Sequence, residues 1–159
     1  MHNRKIVRLQ EYDYGQNGAY FVTVCTHKRK NLFGDVGADL VSARTVAEEF
    51  EKTLASFPGV SSPKYVVMPN HFHGIIMIDR ADTRSAPTLM DIMRAFKSAS
   101  TVAYTRLVKA GEATPFEGKL WQRSFYDHVI RNERDYLETW RYIDENPLKW
   151  QLDRFYVQG

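Results

Sequence analysis

Apolar and polar positions along this chain follow two rhythms, one of two residues and one of three to four, and the switches between them outline the elements. "AYFVTVCTH", Ala19 to His27, is β-branched and aromatic and predicts a strand, followed by the basic turn "KRKNLFG". "GDVGADLVSAR" predicts loop with a short extended piece. From Thr45 the rhythm becomes helical: Val46, Phe50, Leu54 and Phe57 share a face, Thr45 and Glu48 have capping-box spacing, and Pro58-Gly59 stops the run. "KYVVMP" and "HFHGIIMI" read as the two arms of a hairpin turning at Pro69-Asn70, and "DRADTRSAP" as a polar loop. "TLMDIMRAFKSASTVAYTRLVKAG" predicts a helix with Leu89, Met93, Phe96, Ala103 and Leu107 on its stripe, ending at Ala110-Gly111. After the loop "EATPFEGKLWQRS", "FYDHVIR" predicts a last strand. Asn132 can cap a final helix with Asp135 at its third position, and Pro147 closes it. Irregular alternation with a tight hairpin fits an α+β fold, an antiparallel sheet covered by helices, better than a doubly wound parallel sheet.

The 159 residues form one expected domain, 1–159, long enough to bury a core without disulfides or a structural metal. A single cysteine, Cys25, rules out an internal disulfide framework and fits a reducing compartment. With no signal peptide or long uncharged apolar stretch, the expectation is a cytoplasmic protein without membrane contact. An excess of 22 Lys and Arg over 19 Asp and Glu, net +3, is too weak to establish nucleic-acid binding.

The stretch "VVMPNHFHGIIMI" sets two histidines one residue apart in an apolar run. On a strand, His71 and His73 project from one face while Phe72 and Gly74 face the other way. Apolar residues on both sides mark a central, buried strand, where adjacent imidazoles are costly unless they are hydrogen-bonded or share a cation. Packing, metal binding and catalysis all remain open. A zinc hydrolase of the His-x-His-x-Asp-His type is excluded because Ile75 and Ile76 occupy the last two positions. A structural zinc site lacks ligands, since His2, His27 and His128 are scattered and there is one cysteine. Any third ligand must come from far along the chain.

On the wheel of the last helix, Tyr136, Trp140 and Ile143 form the core stripe with Leu137 at its edge. Tyr142 falls off that stripe, with Glu138 and Asn146 one turn either way. It reads either as an exposed tyrosine or as a reactive one. A phenol titrates near about 10 and is a poor nucleophile at neutral pH. It can attack a phosphodiester when a metal polarises the phosphate. Two imidazoles and an amide oxygen suit a hard or borderline divalent ion with open positions. The proline after Asn146 biases that residue away from helical geometry.

These segments resemble the single-tyrosine transposases that carry the HUH motif, His, a bulky apolar residue, His. "VVMPNHFHGIIMI" is similar to that motif, and "LWQRSFYDHVIRNERDYLETWRYIDENPLKW" to the family's last strand and tyrosine helix. The likeness runs from "YFVTVCTHKRK" through "NPLKW", and its later segments lean toward the branch associated with repeated palindromic (REP) DNA. The resemblance implies a ferredoxin-like α+β fold with the HUH motif on a central strand. It implies a metal-dependent single-stranded DNA endonuclease and strand transferase acting near hairpins. Tyr142 would become joined to a 5′ phosphate, and His71, His73 and Asn146 would hold Mg²⁺ or Mn²⁺. The family includes helix-swapped homodimers and monomers.

Candidate DNA contacts are Lys28 and Arg29 (in the run Lys28-Arg29-Lys30), Arg94, Lys97 and Arg123, as phosphate-binding groups that carry no sequence information. Each of these cations can equally be a solvated surface charge. Trp121 reads as a base-stacking platform or as a packing residue. The alternative function is a non-cleaving nucleic-acid-binding regulator on the same fold. Intact His71, His73, Tyr142 and Asn146 favour the enzyme, because a pure binder has no need of all four.

Overall fold

The computed structural model describes residues 12–13, 17–34, 40–80 and 86–150. Strand β1 (Gly18–Cys25) leads through a 3-10 turn into α1 (Val41–Ala55), then short β2 (Val60–Ser61), β3 (Tyr65–Met68) and β4 (His71–Ile78). Helix α2 (Leu89–Lys109), β5 (Tyr126–Val129) and α3 (Glu133–Glu145) complete the chain. The five strands form one sheet in which β4 and β1 are central, β5 flanks β1, and β2 and β3 both pair with β4. Every pairing is antiparallel. Counting β2 and β3 as one interrupted edge gives the βαββαβ order of a ferredoxin-like fold: α1 crosses β4 and α2 crosses β1. Pro63 interrupts that edge, where the missing donor is tolerated, and the Ile75 amide reaches the Lys64 carbonyl at 2.9 Å to keep the edge attached.

Strand alternation divides the core. Val22, Val24, Phe72, Ile76 and Ile78 pack with Val46, Phe50, Ile92, Met93 and Phe96 beneath α1 and α2. Ala19, Ile75 and Met77 pack on the opposite face against Tyr136, Trp140 and Ile143 of α3. His71 and His73 alternate in step with Ile75 and Met77, so they belong to the α3 face.

Helix boundaries differ from the expected ones in instructive ways. Helix α1 starts a turn before Thr45, with extended Leu40 as its N-cap and no side-chain capping bond. Ser42 is buried and Ala43 packs on the core, so tertiary contact extends the helix where local signals are absent. The segment "LVSAR", expected as loop, is therefore mostly helical. Gly59 takes the left-handed φ of 79° that the turn into β2 requires. On α2 the buried stripe is Ile92, Met93, Phe96, Ser100 and Tyr104. Ala103 and Leu107 are only half-buried, because the long loop 112–125 folds over the Tyr104 side. The Tyr104 hydroxyl donates to the Thr114 carbonyl at 2.7 Å, and burial raises its pKa to about 12. Thr88 and Asp91 form a capping box that starts α2. Residues 35–39 and 81–85 of the two expected loops lie outside the described residues, as does His2. No described helix is long and apolar enough to cross a membrane.

Helix α3 begins as its sequence pattern predicts: the Asn132 side chain accepts from the Asp135 amide at 2.8 Å. Asn132→Ala should therefore cost about 1 kcal/mol and Asn132→Gly only a few tenths. The difference is readable as a shift in urea midpoint at constant m-value.

Candidate active site

The β1–β4 register puts Thr23 opposite His73 and Cys25 opposite His71. Both histidines are fully buried, with ring centroids 4.4 Å apart. Each ring is held through Nδ1. Thr23 Oγ1 lies 2.8 Å from His73 Nδ1, and Asn70 Oδ1 lies 2.8 Å from His71 Nδ1. Nε2 is therefore the nitrogen each ring can turn to a metal, and both Nε2 atoms are buried. Phe21 stacks on His73 at 5.3 Å and supports that ring from the side.

Helix α3 covers this row. Tyr136, Trp140 and Ile143 are its buried stripe, as expected, and Tyr142 is 42% exposed on the flank. Its ring packs edge-on against Phe21 at 5.8 Å and sits 5.4 Å from the ring of His73. Two turns on, Trp150 stacks on His71 at 5.7 Å. Asn146 lies midway between these two contacts along the chain, and its Oδ1 is buried. The doubt over its geometry is corrected: Asn146 is helical, φ −56° and ψ −44°, despite Pro147. Its amide bonds to the Ile143 carbonyl at 3.3 Å, and burial of the side chain outweighs the modest bias of the following proline. A third contact secures the helix. Lys64 Nζ lies 2.7 Å from Asp144 Oδ1 and 4.2 Å from the Trp140 ring centroid.

Among the described residues no group of three or more His, Cys, Asp or Glu gathers around a point. Beside His71 and His73, the buried Oδ1 of Asn146 offers an uncharged oxygen as a candidate third donor. Such a donor set fits a divalent ion and leaves its charge undiminished for a phosphate.

The expected DNA contacts fall into separate places. Lys97 and Arg123 line one groove of about 470 Å³ with Lys119, Thr101 and Trp121. Lys97 Nζ donates to the Arg123 carbonyl at 2.7 Å, and burial, with Lys119 nearby, holds its pKa below the ordinary value. Arg94 is exposed on α2 outside that groove. Lys28 and Arg29 occupy left-handed backbone positions, φ 58° and 53°. Lys28 and Lys30 both pair with Glu117, at 3.4 and 3.3 Å, and these contacts lower the pKa of that carboxyl. Trp121 is buried, and its indole donates to Ser100 Oγ at 2.8 Å, so it packs rather than stacks on a base. His128 pairs with Asp135 at the surface.

Two residues with evident roles, Thr23 and Asn70, were not singled out in the sequence. Thr23 becomes visible only through strand register. Asn70 read as a turn residue, although its place immediately before the histidines was the available signal. Tyr126, in the expected last strand, is 59% exposed. It pairs with Thr23, so it shares the histidine face two strands over.

No family model matches the chain. An uncharacterised protein of Haemophilus influenzae is 32% identical over 178 residues, covering 99% of this chain and 95% of the relative. A second protein of that organism, inferred to be a REP-associated tyrosine transposase, is 24% identical and covers 86% of this chain and 74% of the relative. The structure of a REP-associated tyrosine transposase bound to a REP hairpin superposes with a TM-score of 0.62 at 21% identity, over 97% of this chain and 76% of that one. An inferred transposase from Deinococcus radiodurans gives 0.53 at 19% identity, over 87% and 96%. The structural likenesses establish the fold. The full-length likeness places the chain in one family with the uncharacterised Haemophilus influenzae protein, and its weaker likenesses are to REP-associated tyrosine transposases.

Proposed function

We propose that this chain is a metal-dependent single-stranded DNA endonuclease and strand transferase that acts through a 5′-phosphotyrosine at Tyr142. The observation that carries the reading is the half-exposed Tyr142 ring beside His73, next to two histidines each held through Nδ1. His71, His73 and Asn146 would hold Mg²⁺ or Mn²⁺, which supplies charge to polarise the scissile phosphate. Tyr142 Oη attacks phosphorus and the P–O3′ bond breaks. The 3′ oxygen takes a proton from water as it leaves, and the phenol proton passes to the solvent open to the tyrosine. Reversal with a different 3′ hydroxyl rejoins strands. Phe21 and the rigid α3 keep the phenol oriented without a side-chain search.

The hairpin-bound structural neighbour supports hairpin-bearing single strands as substrate. Lys28, Arg29, Arg94, Lys97 and Arg123 would contact phosphates and give salt-dependent, sequence-independent affinity. The test is incubation with labelled hairpin-bearing single-stranded DNA and Mn²⁺, followed by a denaturing gel. A covalent adduct supports the enzyme, and retardation on a native gel with no adduct supports the regulator.

Tyr142→Phe should lose the adduct while keeping DNA and metal binding, with stability changed by less than about 1 kcal/mol. Peptide mapping of the parent adduct should find the nucleotide in "WRYIDENP". Linkage at Tyr126, the exposed tyrosine on the same sheet face, would overturn the assignment.

The double change His71→Ala with His73→Ala should abolish cleavage and calorimetric Mn²⁺ binding. Binding of single-stranded DNA in chelator should stay near the parent value, because phosphate contacts come from other surfaces. Cleavage at the parent rate by this variant would remove the histidines from the mechanism.

A further inference from the structure

We propose that Asn70 is a positioning residue that sets the tautomer of His71, so that the Nε2 lone pair faces the site. The inference rests on His71 being a metal ligand. Asn70 is fully buried at the turn between β3 and β4. Its Nδ2 lies 3.4 Å from the Arg29 carbonyl oxygen. A carbonyl oxygen only accepts, so the atom facing it has to be the amide nitrogen, and this determines which way the carboxamide points. The atom 2.8 Å from His71 Nδ1 is then the amide oxygen, which also only accepts. His71 Nδ1 must carry the hydrogen, and in a neutral ring Nε2 is left with the lone pair a metal requires.

The surroundings hold the amide in that orientation. The Asn70 carbonyl accepts from the Thr26 amide at 2.9 Å and from the Thr26 hydroxyl at 3.1 Å. The Phe33 amide donates to the Pro69 carbonyl at 3.0 Å. The loop after β1 is thereby fastened to the histidine turn on both sides. Within it, the left-handed Lys28 and Arg29 aim the Arg29 carbonyl at Asn70, a backbone conformation that side-chain-bearing residues adopt only when their surroundings compel it. Thr23 works differently on His73. A hydroxyl can donate or accept, so it holds the ring without selecting a tautomer. Asn70 therefore dictates the protonated nitrogen of His71, whereas Thr23 leaves that of His73 undetermined.

The test reads the ring nitrogens directly. Long-range ¹H–¹⁵N correlation spectra of the metal-free protein, at a pH where the imidazoles are neutral, should show His71 in the Nδ1–H form. In Asn70→Ala both tautomers should appear. Calorimetric Mn²⁺ affinity should fall about 10–100-fold, while single-strand DNA binding in chelator is unchanged. Asn70→Asp, which keeps an acceptor for Nδ1–H, should restore both the tautomer and the affinity. An Nε2–H tautomer in the parent overturns the proposal, as does an Asn70→Ala protein that binds Mn²⁺ as tightly as the parent. If Asn70→Ala fails to fold, the parent spectrum still decides. A parent with His71 as Nδ1–H that binds no Mn²⁺ would sink the metal reading and leave the Asn70–His71 assignment standing.

Discussion

The antiparallel pairing of β1 with β4 is the constraint on which the rest of the molecule depends. Its register runs from Gly18 opposite Ile78 to Cys25 opposite His71. Because strand side chains alternate, a slip of one residue would turn His71 and His73 into the apolar core under α1 and α2, and Phe72 toward α3. That outcome is costly on both faces. Phe72 packs with Phe50 at 4.6 Å and Phe96 at 5.0 Å, and two imidazoles in their place would lose their hydrogen-bond partners. The aromatic cluster on one face thus enforces the position of the polar pair on the other.

The two faces carry different loads. The α1/α2 face holds most of the large buried side chains, while the α3 face holds a smaller cluster around Tyr136, Trp140 and Ile143. Helix α3 is secured at intervals along its length by the Asn132 cap, that apolar stripe, and the Lys64–Asp144 pair beside Trp140. These contacts leave its flank open at Tyr142. Helix α3 is thus held along its length while the Tyr142 ring packs on Phe21 and stays 42% exposed.

Beyond the sheet, the loops at the histidine end form a connected layer. The Gln122 amide donates to the Cys25 carbonyl at 2.8 Å and the His27 amide to the Leu120 carbonyl at 2.9 Å. The basic turn at Lys28 therefore lies between the groove-forming loop and the Asn70 turn. Its backbone is tied on both sides, although its side chains reach solvent.

Much of this was legible in the chain. The hairpin at Pro69-Asn70, the α3 stripe, the Asn132 cap and the same-face placement of His71 and His73 all follow from local periodicity and turn chemistry, which depend on neighbours a few residues away. The off-stripe position of Tyr142 followed for the same reason. Tertiary structure decided what periodicity cannot carry: that α1 begins at Val41, that Tyr104 rather than Leu107 faces the core, and that Trp121 is buried against Ser100. It also decided the partners of the histidines, Thr23 from fifty residues upstream and Trp150 from beyond α3. Local sequence sets which face a side chain takes. Which distant residue meets it there depends on strand register and on how the helix crosses the sheet, and both are settled only when the whole core packs.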